Sequence, residues 1–217
     1  MLAQFVLFDG FDPLDVVAPY EAIGTGGVLG GDAVHVELVS AEGVREVPSG
    51  IAGVSLRATA RLDPERADLV VVPGAAGNVL DEEAIPAALA RSLGTELPVL
   101  LRAALEKPGV TVATVCGGSL ILAMAGLIKG RPATTHHMGL DALWGAGAVV
   151  VDARVVDDGD LVTGGGVTSG LDVALHLLER EVGPRVAHAV ERLMAYERRG
   201  TVWRAEGAVP VDGGAAA

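Results

Sequence analysis

Four short runs of the chain are almost wholly apolar: AQFVLFD (3–9), VHVELVS (34–40), ADLVVVPG (67–74) and VTVATV (110–115). Each is bounded by Gly, Pro, Asp or Glu, and each is too short to be read as a helix. Near-continuous Val and Leu suits strands that are covered on both faces, as in a parallel sheet. Between and after them the period changes to that of helices. FDPLDVVAPYE starts one near Leu14, with Asp12 as the capping residue and Pro13 in the first turn. ELPVLLRAALEK (96–107) carries apolar residues at helical spacing and is stopped by Lys107-Pro108-Gly109. SGLDVALHLLEREVG (169–183) and GPRVAHAVERLMAYERR (183–199) give two more helices, the first with Ser169 as its expected cap. RVVDDGDLVTGG (154–165) reads as a hairpin turning at Asp158-Gly159. Strand–helix alternation of this kind predicts an α/β fold: a doubly wound, mostly parallel sheet flanked by helices in three layers. No repeat or linker divides the chain, so residues 1–204 are expected to form one domain. The Gly- and Ala-rich stretch 205–217 is expected to be a flexible tail.

Charge and composition narrow the function. A formal net charge of −12 offers no electrostatic footprint for nucleic acid or an anionic membrane. The opening MLAQFVLFDGFDPLD lacks a basic segment and meets Asp9 too early for a secretory signal, and the longest apolar stretch, Leu120 to Leu127, is far short of a membrane span. These features predict a soluble, cytoplasmic protein. The single cysteine, Cys116, excludes an intramolecular disulfide and a multi-cysteine zinc site.

That cysteine lies in TVATVCGGSLILAMAG (111–126), between a predicted strand and a predicted helix. In open α/β sheets, ligands bind at the carboxyl ends of the strands. A helix start offers unpaired N–H groups and partial positive charge, which predicts an easily ionised thiol in a pocket at the carboxyl edge of the sheet. Gly117-Gly118 supplies the small neighbours that a sharp strand–nucleophile–helix turn needs. Free cysteines are also commonly inert core residues, and the corner alone leaves both roles open. VVVPGAAGN (70–78) places the Ala75 amide after another strand, and Asp15 follows the first strand in a helical first turn. If these loops converge, a carboxyl can exchange a proton with the thiol.

Together these stretches resemble the ThiJ/PfpI superfamily, within the class I glutamine amidotransferase-like fold, from the first strand to about Arg199. VCGGSLILAMAGLIKGRPATTHHMGLDAL (115–143), LDVVAPYEAI, VPGAAG and LVTGGGVTSGLDVALHL (161–177) carry the likeness, which is strongest to isonitrile hydratases and to amidase-like domains of AraC-type regulators. The resemblance implies Cys116 as nucleophile and Asp15 as the acid that bonds the thiol and handles a proton. It also implies an oxyanion pocket from the Ala75 and Gly117 amides, Val167 approaching from a glycine-rich loop, and His136 near the thiol. It implies no metal or organic cofactor, a small-molecule substrate and a homodimer. Gly117 stands where the hydratases usually carry threonine, and the histidine that follows the cysteine in protease-like members is absent, which disfavours a peptidase. The activity implied is hydration of an isocyanide to an N-substituted formamide. Glyoxalase-type chemistry on small aldehydes and a non-catalytic sensor are the alternatives, although the chain shows no AraC-type DNA-binding region. His35, His137, His176 and His188 carry no motif and are read as structural.

Overall fold

A computed structural model describes residues 1–78 and 80–208. In chain order the elements are β1 (Leu2–Leu7), α1 (Pro13–Leu29), β2 (His35–Ser40), β3 (Arg45–Pro48), β4 (Ser55–Ala58), β5 (Ala60–Arg61), β6 (Leu69–Val72), α2 (Ala84–Leu93), α3 (Leu97–Glu106) and β7 (Thr111–Thr114). They continue with α4 (Gly118–Met124), β8 (Pro132–Ala133), a 3₁₀ turn (His137–Gly139), α5 (Leu140–Gly145), β9 (Val149–Val150), β10 (Val155–Asp157), β11 (Leu161–Gly164), α6 (Ser169–Glu181), α7 (Pro184–Met194) and β12 (Trp203–Arg204).

Eight strands form the central sheet in the order β12-β10-β11-β7-β6-β1-β2-β5. From β11 to β5 every neighbour is parallel, while β10 runs antiparallel to β11. The expected hairpin is therefore present: Val155 pairs with Gly164 and Asp157 with Val162, and Gly159, at φ +81, turns the chain. Every residue of β6 and β11 is buried, so both faces of the sheet are covered. Helices α1, α6 and α7 pack together as one layer, and α2, α3 and α4 as the other.

The first layer is tight because of glycine. A Cβ on Gly26 of α1 would lie 2.4 Å from the Leu178 side chain of α6, so Leu178 packs into the space that a larger residue here would need. Asp12 caps α1 through a 2.9 Å bond from the Leu14 N–H, as the sequence predicts. The cap of α6 differs from expectation: Ser169 is the first helical residue, and Thr168 occupies the capping position. Thr168 gives no capping bond, and its hydroxyl accepts from Arg154.

The chain steps from β1 to β2 on one side and returns to β6 on the other. The crevice between β1 and β6 is thus the topological switch point, where ligands bind in such sheets. Backbone bonds close its rim. Asp12 N–H donates to Gly74 O at 2.9 Å and Ala76 N–H to Gly10 O at 3.0 Å. Gly10 N–H donates to Pro48 O of the β3–β4 hairpin at 2.9 Å. Among the described residues no single helix is long and apolar enough to cross a membrane. Of the expected tail, residues 205–208 follow β12, and 209–217 lie outside the described residues.

Candidate active site

Three loops at the carboxyl ends of β1, β6 and β7 meet in the crevice. β7 ends at Thr114, Val115 N–H donates to Val72 O at 3.0 Å, and α4 begins at Gly118. Cys116 sits between them at φ +54, a left-handed conformation that non-glycine residues rarely hold and that costs about 1–3 kcal/mol. Its N–H donates to Gly164 O at 3.1 Å, and its carbonyl accepts from the Thr135 hydroxyl at 2.8 Å. A Cβ on Gly118 would stand 2.2 Å from Val72 O, so only glycine can start the helix this close to β6. A Cβ on Gly117 would meet ordinary contacts of 3.6–3.9 Å.

Asp15 comes from the first turn of α1. Acids in a helical first turn usually face solvent, but this one is 0% exposed. Its Oδ2 accepts from the Gly74 N–H at 2.9 Å, and its Oδ1 has no hydrogen-bond partner. The Cys116 thiol lies against the same carboxyl. Burial, reinforced by the charge of Asp12, pushes the Asp15 carboxyl up to about 8, so it keeps its proton at neutral pH.

Burial also pushes the Cys116 thiol above its ordinary value, with the Asp15 charge adding to the effect and the Gly117 N–H opposing it. This corrects the expectation of an easily ionised thiol. The helix that follows is only seven residues long, and its favourable end is outweighed by desolvation of the sulfur. The space around the sulfur is nearly closed. Cys116 is 7% exposed, and a groove of about 530 Å³ on the same edge, lined by Asp9, Gly10, Ser49, Ala76, Gly77 and Arg91, does not include it. The space is filled by backbone: a Cβ on Gly74 would lie 2.5 Å from Gly117 N and 3.0 Å from Asp15 Oδ2.

The same close approach brings the Ala75 and Gly117 amides together. The Cβ position of Gly117 lies 3.9 Å from Ala75 N, and among the described residues no carbonyl accepts from either N–H. Val167 is half-buried in the loop after β11, and Gly164, the last residue of that strand, holds the Cys116 N–H. His136 lies beside that loop, its ring 3.8 Å from the Cβ position of Gly166. The Met138 N–H donates to its Nδ1 at 3.3 Å, and its ring packs on His137 with centroids 4.1 Å apart. Burial and His137 hold His136 below the ordinary histidine range.

A glycine-rich elbow, a buried neutral carboxyl and paired amides at a switch point are features to compare with known proteins. The DJ-1/PfpI family matches residues 1–180. The chain belongs to this family. Among its relatives is the isonitrile hydratase of Pseudomonas putida, 35% identical over 195 residues that cover 88% of this chain and 77% of that protein. The HTH-type transcriptional regulator CdhR of Pseudomonas aeruginosa is 29% identical over 84% of this chain, which spans about half (51%) of the regulator. The crystal structure of a ThiJ/PfpI family protein from Pseudomonas syringae superposes with a TM-score of 0.76 at 26% identity, covering 92% of this chain and 76% of that one.

Within this DJ-1/PfpI chain, three site residues escaped the sequence reading: Thr135, Gly74 and Ser119. Ser119 is buried and donates to Thr134 O at 2.7 Å. Thr135 adjoins the histidine that drew attention, and only the fold shows that its hydroxyl faces the elbow. His176 has more company than expected. Its Nε2 lies 2.7 Å from Asp157 Oδ2, and Arg180 and Arg204 approach the same carboxylate at 3.2 Å each. That cluster ties α6 and β12 to β10, away from the thiol.

Proposed function

We propose that this protein is a cysteine-dependent hydro-lyase of the isonitrile hydratase type, converting an isocyanide to an N-substituted formamide without a cofactor. The observation that carries the proposal is the fully buried Asp15 carboxyl, pushed up to about 8 by that burial, against the Cys116 thiol. An isocyanide carbon must gain both a nucleophile and a proton, and this pair can supply both. The Cys116 sulfur bonds to the terminal carbon as Asp15 delivers its proton to that carbon and recovers the thiol proton. The product is a thioformimidate, R–N=CH–S–Cys116. Water then adds across the C=N bond, its hydroxyl to carbon and its proton to nitrogen, with Asp15 relaying the transfer. Collapse of the tetrahedral adduct breaks the C–S bond, returns a proton to sulfur and releases the formamide R–NH–CHO. The developing negative charge faces the Ala75 and Gly117 amides.

A nearly closed site with 7% of Cys116 exposed suits a slim, linear reacting end. Kinship with the hydratase, at 35% identity, supports the same reading. The protein acts as a homodimer in the cytoplasm in this proposal. The kinship with CdhR favours a second reading, a ligand-sensing domain without turnover. The test is turnover of a small alkyl isocyanide, and separately of methylglyoxal, with Cys116→Ala as blank. Cys116-dependent formamide supports the hydratase; Cys116-dependent loss of methylglyoxal alone supports aldehyde chemistry. No turnover, with thermal stabilisation by the isocyanide, supports the sensor.

A further inference from the structure

We infer that Thr135 is a positioning residue that holds the Cys116–Gly117 peptide with its N–H turned toward the sulfur and its carbonyl turned away. This rests on the reading of Cys116 as the reacting group. A peptide plane carries its carbonyl and its N–H on opposite sides, so whatever fixes one end aims the other. At one end, the Cys116 carbonyl accepts from Thr135 Oγ1 at 2.8 Å. At the other, the Gly117 N–H favours the ionised sulfur and meets no carbonyl among the described residues.

The plane needs a clamp because it follows a residue at φ +54 and precedes a glycine. Glycine resists rotation of the shared peptide less than any other residue. Rotation would point the carbonyl oxygen at the site and place a negative dipole where an anion has to form. Ser119 does not substitute for Thr135. It also reaches the Cys116 carbonyl, but at 3.4 Å, and its single proton is engaged by Thr134 O at 2.7 Å. The Thr135 side chain is buried, so water does not replace its hydroxyl. A hydrogen bond to the carbonyl also polarises the amide and strengthens the donor at its far end.

The experiment compares Thr135→Val, which keeps the shape and removes the donor, with Thr135→Ser, which keeps the donor. Cys116 alkylation by iodoacetamide is followed by intact mass from pH 7 to 10.5, alongside kcat and KM for an alkyl isocyanide. Thr135→Val is expected to move the alkylation profile up by about one pH unit, a tenfold loss of thiolate at a given pH. It is also expected to lower kcat by more than it changes KM, and Thr135→Ser is expected to restore both. A folded Thr135→Val protein with the wild-type alkylation profile overturns the inference. If Thr135→Val does not fold, Thr135→Cys, a weaker donor of similar size, takes its place: an intermediate profile supports the inference and a wild-type profile overturns it. The alkylation profile does not depend on substrate. A shifted profile in a protein that turns over no isocyanide therefore leaves Thr135 in its role and removes the hydratase reading alone.

Discussion

Replacing Asp15 by Asn should make the protein less sensitive to alkaline pH while removing its activity. The wild-type carboxyl titrates near about 4 in the unfolded chain and is pushed up to about 8 by burial in the native state. Between these values the native state holds a proton that the unfolded state has lost. Stability from this group is complete below pH 4 and declines as pH rises toward 8. At roughly 1.4 kcal/mol per pH unit, the three units from pH 5 to pH 8 correspond to a loss of about 4 kcal/mol. Asn does not titrate. Its carbonyl can accept the Gly74 N–H, as Oδ2 does at 2.9 Å. Urea unfolding of both proteins at pH 5, 6.5 and 8 isolates the effect, because titrations common to both cancel in the difference. The stability of Asp15→Asn relative to wild type should rise steadily across the range. Turnover should fall by about 10²–10⁴, the usual worth of acid–base help. Parallel stability curves would refute the assignment of a buried, protonated Asp15.

Gly117→Thr has room for its Cβ, with neighbours at 3.6–3.9 Å, and should raise isocyanide turnover if its hydroxyl orients the Asp15 carboxyl; steady-state kinetics check this, and Cys116 should remain essential. Gly74→Ala should do the opposite, because its Cβ would strike Gly117 N at 2.5 Å; kcat should collapse in a protein that circular dichroism shows to be folded. Asp157→Asn should destabilise the fold by about 3–5 kcal/mol in urea unfolding, since a buried carboxylate facing His176, Arg180 and Arg204 is lost while the two guanidinium groups stay. Burial alone would raise the Asp157 pKa, but the His176 bond, the Gly159 N–H and Arg180 together lower it, so its contribution is present above about pH 4 and lost in stronger acid. Light scattering at micromolar concentration should give the mass of a dimer.

The strands that the sequence announces are those buried on both faces. β6 and β7 are runs of Val, Leu, Ala and Thr with one reading, and the Cys116 corner follows from their order. The elements it hides are ruled by tertiary contacts. The β3–β4 hairpin, REVP against SLRA, is half polar, and its turn end is held by Gly10 N–H donating to Pro48 O and Gly50 N–H donating to Phe11 O. Helix α2 carries Pro86 and lacks a side-chain cap, so it has no start signal. β12 is two residues on an edge, held by pairing with β10. In the site, the position of Cys116 at a strand-to-helix corner is legible from the order of elements, whereas Asp15, an acid in a helical first turn, is singled out by the resemblance. Their protonation is not legible, because desolvation depends on how closely Gly74 lets the loops approach.

The account turns on whether Cys116 forms and releases a carbon–sulfur bond to an isocyanide. Acid-quenched single turnovers with a small alkyl isocyanide, read by intact mass and by the formyl proton of the product, test it directly. The wild type is expected to gain the full mass of one isocyanide on Cys116 and then lose it as formamide appears, whereas Cys116→Ala shows neither adduct nor product. Formamide released at the wild-type rate by Cys116→Ala would contradict the account.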